Sequence, residues 1–379
     1  MFKRTEESVL TSWFFEVDRK LLSMVLVMIG IGMLFAVSAG SVAAERINQP
    51  WYFFILKGMP FYITGLIVLF GTSMLNKKLV LKISLLDVAV GLLLLGVTFI
   101  APHTIKGSAR WVSIHGINIL PADIMKPGFI ILTAWFLSKM REKFGDNLFV
   151  DKNAWKLHWI SWWSYLAVFV PMLAIIFTHP DVGTSLLYLG VLVVMLVIAG
   201  LPWIVFCGLG AMGCGILLLA YKIMPHVHNR IEAMLTGSGD NYQVTQSVQA
   251  IQHGGFFGKW SDAFIKQSLP DSHTDFIYAV IVEDMGAVLA CLLLGLLVYL
   301  LKLLVSDALN ARDKFVFYAV GGTAALFGIQ IFINMVSTLR IFPPKGMTLP
   351  FISYGGSSLV GFCLLFGMVL AIVREDKWK

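Results

Sequence analysis

Residues 271–303 read DSHTDFIYAVIVEDMGAVLACLLLGLLVYLLKL. From Phe276 onward this stretch is almost unbroken apolar sequence, and about 20 apolar residues suffice to carry a helix across a bilayer core of about 30 Å. Two carboxylates, Glu283 and Asp284, interrupt it two turns in. A third, Asp275, stands where the polar segment gives way to the apolar one. The stretch therefore predicts a membrane-spanning helix with ionisable groups at one end.

Comparable runs lie near 21–44, 52–73, 80–101, 122–139, 158–178, 183–200, 202–222, 315–338 and 354–373. With 276–303 they make about ten spans, so the fold class is an all-α polytopic membrane protein. One transmembrane domain covers 21–373, after a cytoplasmic or interfacial segment 1–20 and before a cytoplasmic tail 374–379. Composition agrees: 58% of the 379 residues are hydrophobic and 13% charged, where a soluble domain has about a quarter charged. The first run ends in Ser41-Val42-Ala43-Ala44, which resembles a signal-peptidase site. It exceeds the roughly 7–15 apolar residues of a signal peptide and reads as a retained helix.

Orientation follows from the basic residues. With the N-terminus inside, 18 of the 29 lysines and arginines fall on the cytoplasmic side and 9 on the other. The positive-inside rule then places both termini in the cytoplasm. The longest polar segment, 223–275 between helices 7 and 8, becomes a large extracytoplasmic loop, and the links 102–121 and 339–353 are also outside. The net charge of +7 is thus a matter of topology. A nucleic-acid reader would show a basic face with aromatics on a polar domain, and none is present. The four cysteines, at 207, 214, 291 and 363, sit in apolar runs without zinc-site spacing. Within the long loop, Asp240 or Asn241 can cap a short helix that Gly254-Gly255 would end. Its stripe of Val244, Val248 and Ile251 predicts that it lies on the membrane surface.

Exported polar groups define where chemistry can occur. Asp275, at the membrane boundary, can act as a general base or simply cap the following helix. Glu283 and Asp284 lie where an ionisable group costs at least about 2.5 kcal/mol, so each is functional or paired. Lys126 is three residues from Asp123 and can pair with it. Arg110 and Trp111, in Gly107-Ser108-Ala109-Arg110-Trp111, suit an anion at an interface. The last outer loop runs Pro343-Pro344-Lys345-Gly346-Met347-Thr348-Leu349-Pro350-Phe351, then Ser353 through Ser358. It reads as a rigid loop entering a closely packed helix. Walker, HExxH and catalytic-triad signatures are absent from the sequence.

Taken in order, these motifs resemble the SEDS family (shape, elongation, division and sporulation). The matching residues are Gly107 to Trp111, Pro180-Asp181-Val182-Gly183, Tyr242-Gln243 with Gly254-Gly255, His273-Thr274-Asp275-Phe276-Ile277 with Glu283, and Lys345 through Ser358. The resemblance implies a peptidoglycan glycosyltransferase that polymerises lipid II, a disaccharide-pentapeptide on undecaprenyl diphosphate, at the outer face of the bacterial cytoplasmic membrane. It implies a class B penicillin-binding protein, a transpeptidase, as partner. Lys-Gly-Met-Thr-Leu-Pro-Phe is similar to the FtsW branch rather than the RodA branch, which implies a septal location and other divisome partners.

The resemblance makes Asp275 the catalytic residue. Arg110, Trp111, Lys126, Asp181, His273, Thr274, Glu283, Lys345, Ser353 and Ser357 are then the candidate substrate-binding set. Arg110, Lys126, Lys345 and Arg340, together with a divalent cation such as Mg2+, are candidates to neutralise the leaving diphosphate. Leu120-Pro121-Ala122-Asp123 departs from the usual Gln-Pro-Ser-Glu, shortening one carboxylate; Asp271 and Asp284 stand where glutamate is usual. Two rival readings are a lipid II flippase, which needs polar groups lining a path through both membrane halves, and a non-catalytic divisome scaffold. The concentration of polar residues on the outer side favours the polymerase.

Overall fold

The structure, a computed structural model, describes residues 9–100, 103–105, 108–114, 117–179, 181–225, 228–229, 232, 242–341 and 346–378. A short helix α1 (Val9–Glu16) precedes α2 (Arg19–Arg46), α3 (Phe53–Ser73) and α4 (Lys77–Ile100). After a short turn, α5 (Pro121–Ile124), come α6 (Lys126–Phe144), α7 (Trp162–Thr178), α8 (Val182–Ile198) and α9 (Trp203–Ile223). The long loop contributes α10 (Tyr242–Gly254), and α11 (Ile277–Leu309), α12 (Lys314–Thr338) and α13 (Gly356–Trp378) complete the chain. Side chains mark several starts. Asp18 accepts from the Leu21 amide, Asp313 from that of Phe315, and Ser161 forms a capping box with Ser164.

Every apolar run read from the sequence coincides with a helix. Among the described residues seven of these are long and apolar enough to cross a membrane: α2, α3, α4, α9, α11, α12 and α13. At about 1.5 Å per residue the 17-residue helices α7 and α8 reach only about 26 Å, short of a hydrocarbon core of about 30 Å. Helix α13 is the centre of the bundle, with 83% of its apolar window buried. Glycines let its neighbours approach: a Cβ on Gly65 of α3 would come within 3.0 Å of Cys363 Sγ. In contrast, none of the described residues in the apolar stretch of α9 is buried against the rest of the protein.

Two expectations need correction. The link 102–121 is not a plain loop: β1 (His103–Ile105), β2 (Ser108–Ile114) and β3 (Ile117–Ile119) form an antiparallel sheet in the order β1-β2-β3. Its short strands escaped a reading tuned to long apolar runs, although Val112 and Ile114 alternate with Ser113. Helix α10 does not rest on lipid alone but docks one face on the protein. Its buried face is Val244, Ser247, Ala250 and Gly254, small residues that allow close backbone approach. Ser247 Oγ donates to the Thr338 carbonyl at 2.9 Å, and a Cβ on Gly254 would stand 2.1 Å from the Val282 carbonyl oxygen.

One end of the bundle is tied by charge. Lys377 Nζ reaches Asp18 at 2.6 Å and Asp307 at 2.9 Å; Lys77 pairs with Asp313, and its amide donates to Glu375. The start of α2 and the end of α13 therefore meet on one side of the membrane, the basic side that the sequence assigns to the cytoplasm.

At the opposite end α11 is broken. Gly286 has φ 88° and ψ 165° inside an otherwise helical run, so helical hydrogen bonding lapses there. The segment after α10 supplies the missing partners: Lys259 N donates to the Glu283 carbonyl at 2.8 Å, while the Ala287 and Val288 amides donate to Gly255 and Phe256 at 2.9 and 3.2 Å. Freed backbone groups at membrane depth must be met this way. Only glycines fit the crossing, since a Cβ on Gly286 would lie 2.3 Å from the Phe256 carbonyl oxygen, and one on Gly258 2.3 Å from that of Asp284.

Gly286→Ala is expected to destabilise by about 1–3 kcal/mol, read as a lower thermal midpoint in detergent. Gly295→Ala, in the same helix with open space around it, should leave the midpoint unchanged. A pH effect is expected at the cytoplasmic end. Burial alone would raise the Asp18 carboxyl, but the Leu21 amide and Lys377 outweigh it and hold its pKa below the ordinary 3.8. Because the folded value is depressed, its stabilisation is complete above pH 3.8 and disappears as pH falls through the lowered value. Asp18→Asn should accordingly reduce the difference in thermal midpoint between neutral and strongly acid buffer.

Candidate active site

The site is built on the turn before α11. The Asp271 carbonyl gathers the amides of Thr274, Asp275 and Phe276 at 3.1, 3.1 and 3.3 Å, and Asp271 itself sits at φ 52°. The N-cap of α11 is Phe276, with no side-chain cap, so Asp275 is not the helix cap. Its carboxylate instead lies against the segment that enters α13. A Cβ placed on Gly346 would stand 2.4 Å from Asp275 Oδ2, so a glycine at 346 is what leaves the carboxylate its place.

Aromatic packing fixes the rest of the turn. The His273 ring lies 4.7 Å from Phe54 and 5.5 Å from Tyr354, ring centre to ring centre, and the Tyr354 amide donates to the His273 carbonyl at 2.9 Å. Phe351, one turn of chain earlier, is buried at φ 64°, a costly conformation for a bulky residue. Gly32 of α2 makes room for it, since a Cβ there would stand 1.9 Å from the Phe351 carbonyl oxygen.

Beneath the turn, α12 presents two amides one helical turn apart. Asn334 Nδ2 donates to the Asp275 carbonyl at 2.9 Å and to the Met347 carbonyl at 2.6 Å. Gln330 Nε2 donates to the Thr348 carbonyl at 2.9 Å, and Gln330 Oε1 accepts from Lys126 Nζ at 3.1 Å. Thr348 Oγ1 donates in turn to Ser358 Oγ at 2.9 Å. Polar residues inside an apolar span are costly unless paired or functional. That signal, Gln330 and Asn334 in an otherwise apolar run, could have identified both from sequence, whereas the ring cluster that sets Tyr354 beside His273 exists only in the packed structure.

The other candidate residues divide by what their polar atoms meet. Lys126 is buried and pairs with Asp123 at 2.6 Å, so its charge is already balanced. Asp181, buried, caps α8 by accepting from the Thr184 amide at 3.1 Å. Ser353 Oγ accepts from the Leu349 amide at 2.7 Å and Ser357 Oγ from the Leu120 amide at 2.9 Å, which shapes the loop and joins it to α5. Thr274 Oγ1 donates to the Asp271 carbonyl at 3.3 Å. Trp111 is half-buried and pairs with His103 across β1 and β2. Arg110 lies on β2, its side chain outside the described residues, as is Lys345.

Glu283 and Asp284 serve the broken helix. Glu283 is 0% exposed and accepts from the Ile265 amide at 2.8 Å, the Lys266 amide at 2.6 Å and His253 Nδ1 at 3.0 Å. Asp284 accepts from Lys266 Nζ at 2.5 Å and from Ser38 Oγ of α2 at 2.6 Å. Together they hold α10, residues 265–266 and α2 onto the helix that starts beside Asp275. Among the described residues no group of three or more His, Cys, Asp or Glu gathers as a metal site.

The family model described as cell cycle protein, covering FtsW, RodA and SpoVE, matches residues 19–378. The chain is 32% identical to the probable peptidoglycan glycosyltransferase FtsW of Caulobacter vibrioides, across 99% of this chain and 93% of that protein. It is 30% identical to the protein of the same name from Coxiella burnetii, across 97% and 98%. Among solved structures it resembles a chain of a peptidoglycan synthase complex, with TM-score 0.75, 22% identity, and 96% and 99% coverage. Thermus thermophilus RodA gives 0.67 at 21% identity, with 96% and 98% coverage.

Glu283→Ala would leave the half-buried Ile265 and Lys266 amides without their acceptor, and a donor left unsatisfied in this way costs about 1–3 kcal/mol. The expected result is faster hydrogen exchange at residues 259–269 and a lower thermal midpoint. Glu283→Gln, which keeps one acceptor oxygen, should fall between the two.

Proposed function

This chain belongs to the FtsW, RodA and SpoVE cell-cycle family, and on that premise we infer that it polymerises lipid II into glycan strands at the outer face of the cytoplasmic membrane. The activity is that of a peptidoglycan glycosyltransferase, the name its relatives carry along nearly their full length. The observation that carries the site is Asp275. It stands at the end of α11 away from the charged cytoplasmic ties, it does not cap the helix, and its carboxylate is seated against Gly346.

In the proposed reaction Asp275 accepts the proton of the acceptor sugar's 4-hydroxyl as that oxygen attacks the donor's anomeric carbon. The bond from that carbon to the diphosphate breaks, and the lipid diphosphate leaves with the electron pair. Cations must then balance the developing charge. With Lys126 paired to Asp123 and Lys266 to Asp284, Lys345 and Arg110 are the proposed partners of the diphosphate. A divalent cation such as Mg2+ would take its ligands from the diphosphate itself. The partner is a class B penicillin-binding protein, in keeping with the synthase complex that the fold resembles. Ten spans, a septal location and further divisome partners complete the proposal.

Lipid II polymerisation by the purified protein with its transpeptidase partner is the direct test. Asp275→Ala and Asp275→Asn are expected to abolish strand synthesis, a loss of at least about a hundredfold, while co-purification with the partner persists. Wild-type strand synthesis by Asp275→Ala would overturn the assignment of the base.

A further inference from the structure

We propose that Asn334 is the positioning residue for Asp275, an inference that rests on the base assignment above. Its side-chain amide joins two segments distant in sequence. One Nδ2 proton goes to the Asp275 carbonyl at 2.9 Å and the other to the Met347 carbonyl at 2.6 Å. The opposite atom, Oδ1, is buried and has no hydrogen-bond partner among the described residues. Only an NH2 group satisfies two carbonyls, so these bonds also set the orientation of the amide.

The consequence for the carboxylate is geometric. Fixing the Asp275 carbonyl fixes the direction of its Cα–Cβ bond, and fixing Met347 fixes its neighbour Gly346, the surface against which Oδ2 rests. Asn334 therefore sets both the carrier of the carboxylate and the wall behind it. Gln330, one turn away, extends the same clamp by holding Thr348 and bonding to Lys126. Asn334 is 1% exposed and Gln330 1% exposed, so neither touches substrate from its present place; Asn334 acts through Asp275.

A displacement of about 1 Å in a reacting group can cost about a hundredfold in rate. Asn334→Asp keeps the size of the side chain but faces two carbonyls with an oxygen in place of the NH2. It is expected to lower kcat for lipid II polymerisation about a hundredfold with KM within about threefold, because the lost interaction matters only in the transition state. Asn334→Gln retains the NH2 on a longer stem and should recover part of kcat. The acid limb of the kcat/KM profile reports the base directly and does not depend on the fraction of molecules folded. It should move in both variants, whereas a residue that only supported the fold would scale the profile without moving it. Gly346→Ala, which crowds the same carboxylate, should combine with Asn334→Asp to give less than the product of the separate losses.

Wild-type kcat and an unmoved acid limb in Asn334→Asp, with Asp275→Ala inactive, would overturn this inference alone. So would an unmoved limb in a poorly folding variant, or losses that multiply independently with Gly346→Ala. Full activity in Asp275→Ala would instead remove the base assignment on which it stands.

Discussion

A broken helix at membrane depth must find new partners for its backbone, and that constraint organises the outer half of this protein. The break at Gly286 frees the Glu283 carbonyl and the amides of Ala287 and Val288, and residues 255–259 take them up. Residues 287–309 then make 23 residues of helix, about 34 Å at 1.5 Å per residue, enough for a full crossing. What precedes the break is freed from spanning and becomes a short platform for the Asp275 turn. Glu283 and Asp284, both buried, lie at the joint and bind the loop and α2 to it.

Around that joint most of the candidate polar groups hold the site together. Lys126, Glu283, Asp284, Asp181, Ser353 and Ser357 bond to protein groups that fix helices and loops. A buried carboxylate that accepts backbone amides stiffens its surroundings, because removing it would strand those amides. Asp275 has a different setting. Its backbone is bonded on both sides, through the Asp271 turn and through Asn334, and its carboxylate lies beside a glycine. A rigid carrier suits the base proposed for Asp275.

The small residues serve the same end. Gly32, Gly254, Gly258, Gly286 and Gly346 each let a backbone or a carboxylate come within 2.4 Å of where a Cβ would be. Four of the five bring together α2, α10, α11 and the loop before α13, and the fifth, Gly346, admits Asp275. In a bilayer the apolar effect gives little drive between helices, and close packing with interhelical hydrogen bonds takes its place.

Much of this was legible in the sequence because membrane folds are constrained by length and polarity alone. A run of about 20 apolar residues has few alternatives to a helix, so the helices, the shared side of the two termini and the polar end beside Asp275 follow from residue order. The Asp123–Lys126 pair followed from helical spacing. Only tertiary structure decided the rest. Nothing in the period of residues 277–309 announces that the helix breaks at Gly286, because the break is stabilised by amides and carbonyls of a loop from elsewhere in the chain. Burial of α10 depended on a partner surface on α11 and α12, and the assignment of Glu283 to backbone amides depended on the path of residues 265–266. The bridge from Asn334 to residues 275 and 347 joins three segments whose sequence separation carries no information about their meeting. Local pattern fixes which groups are costly to bury; the packed structure alone determines which partners satisfy them.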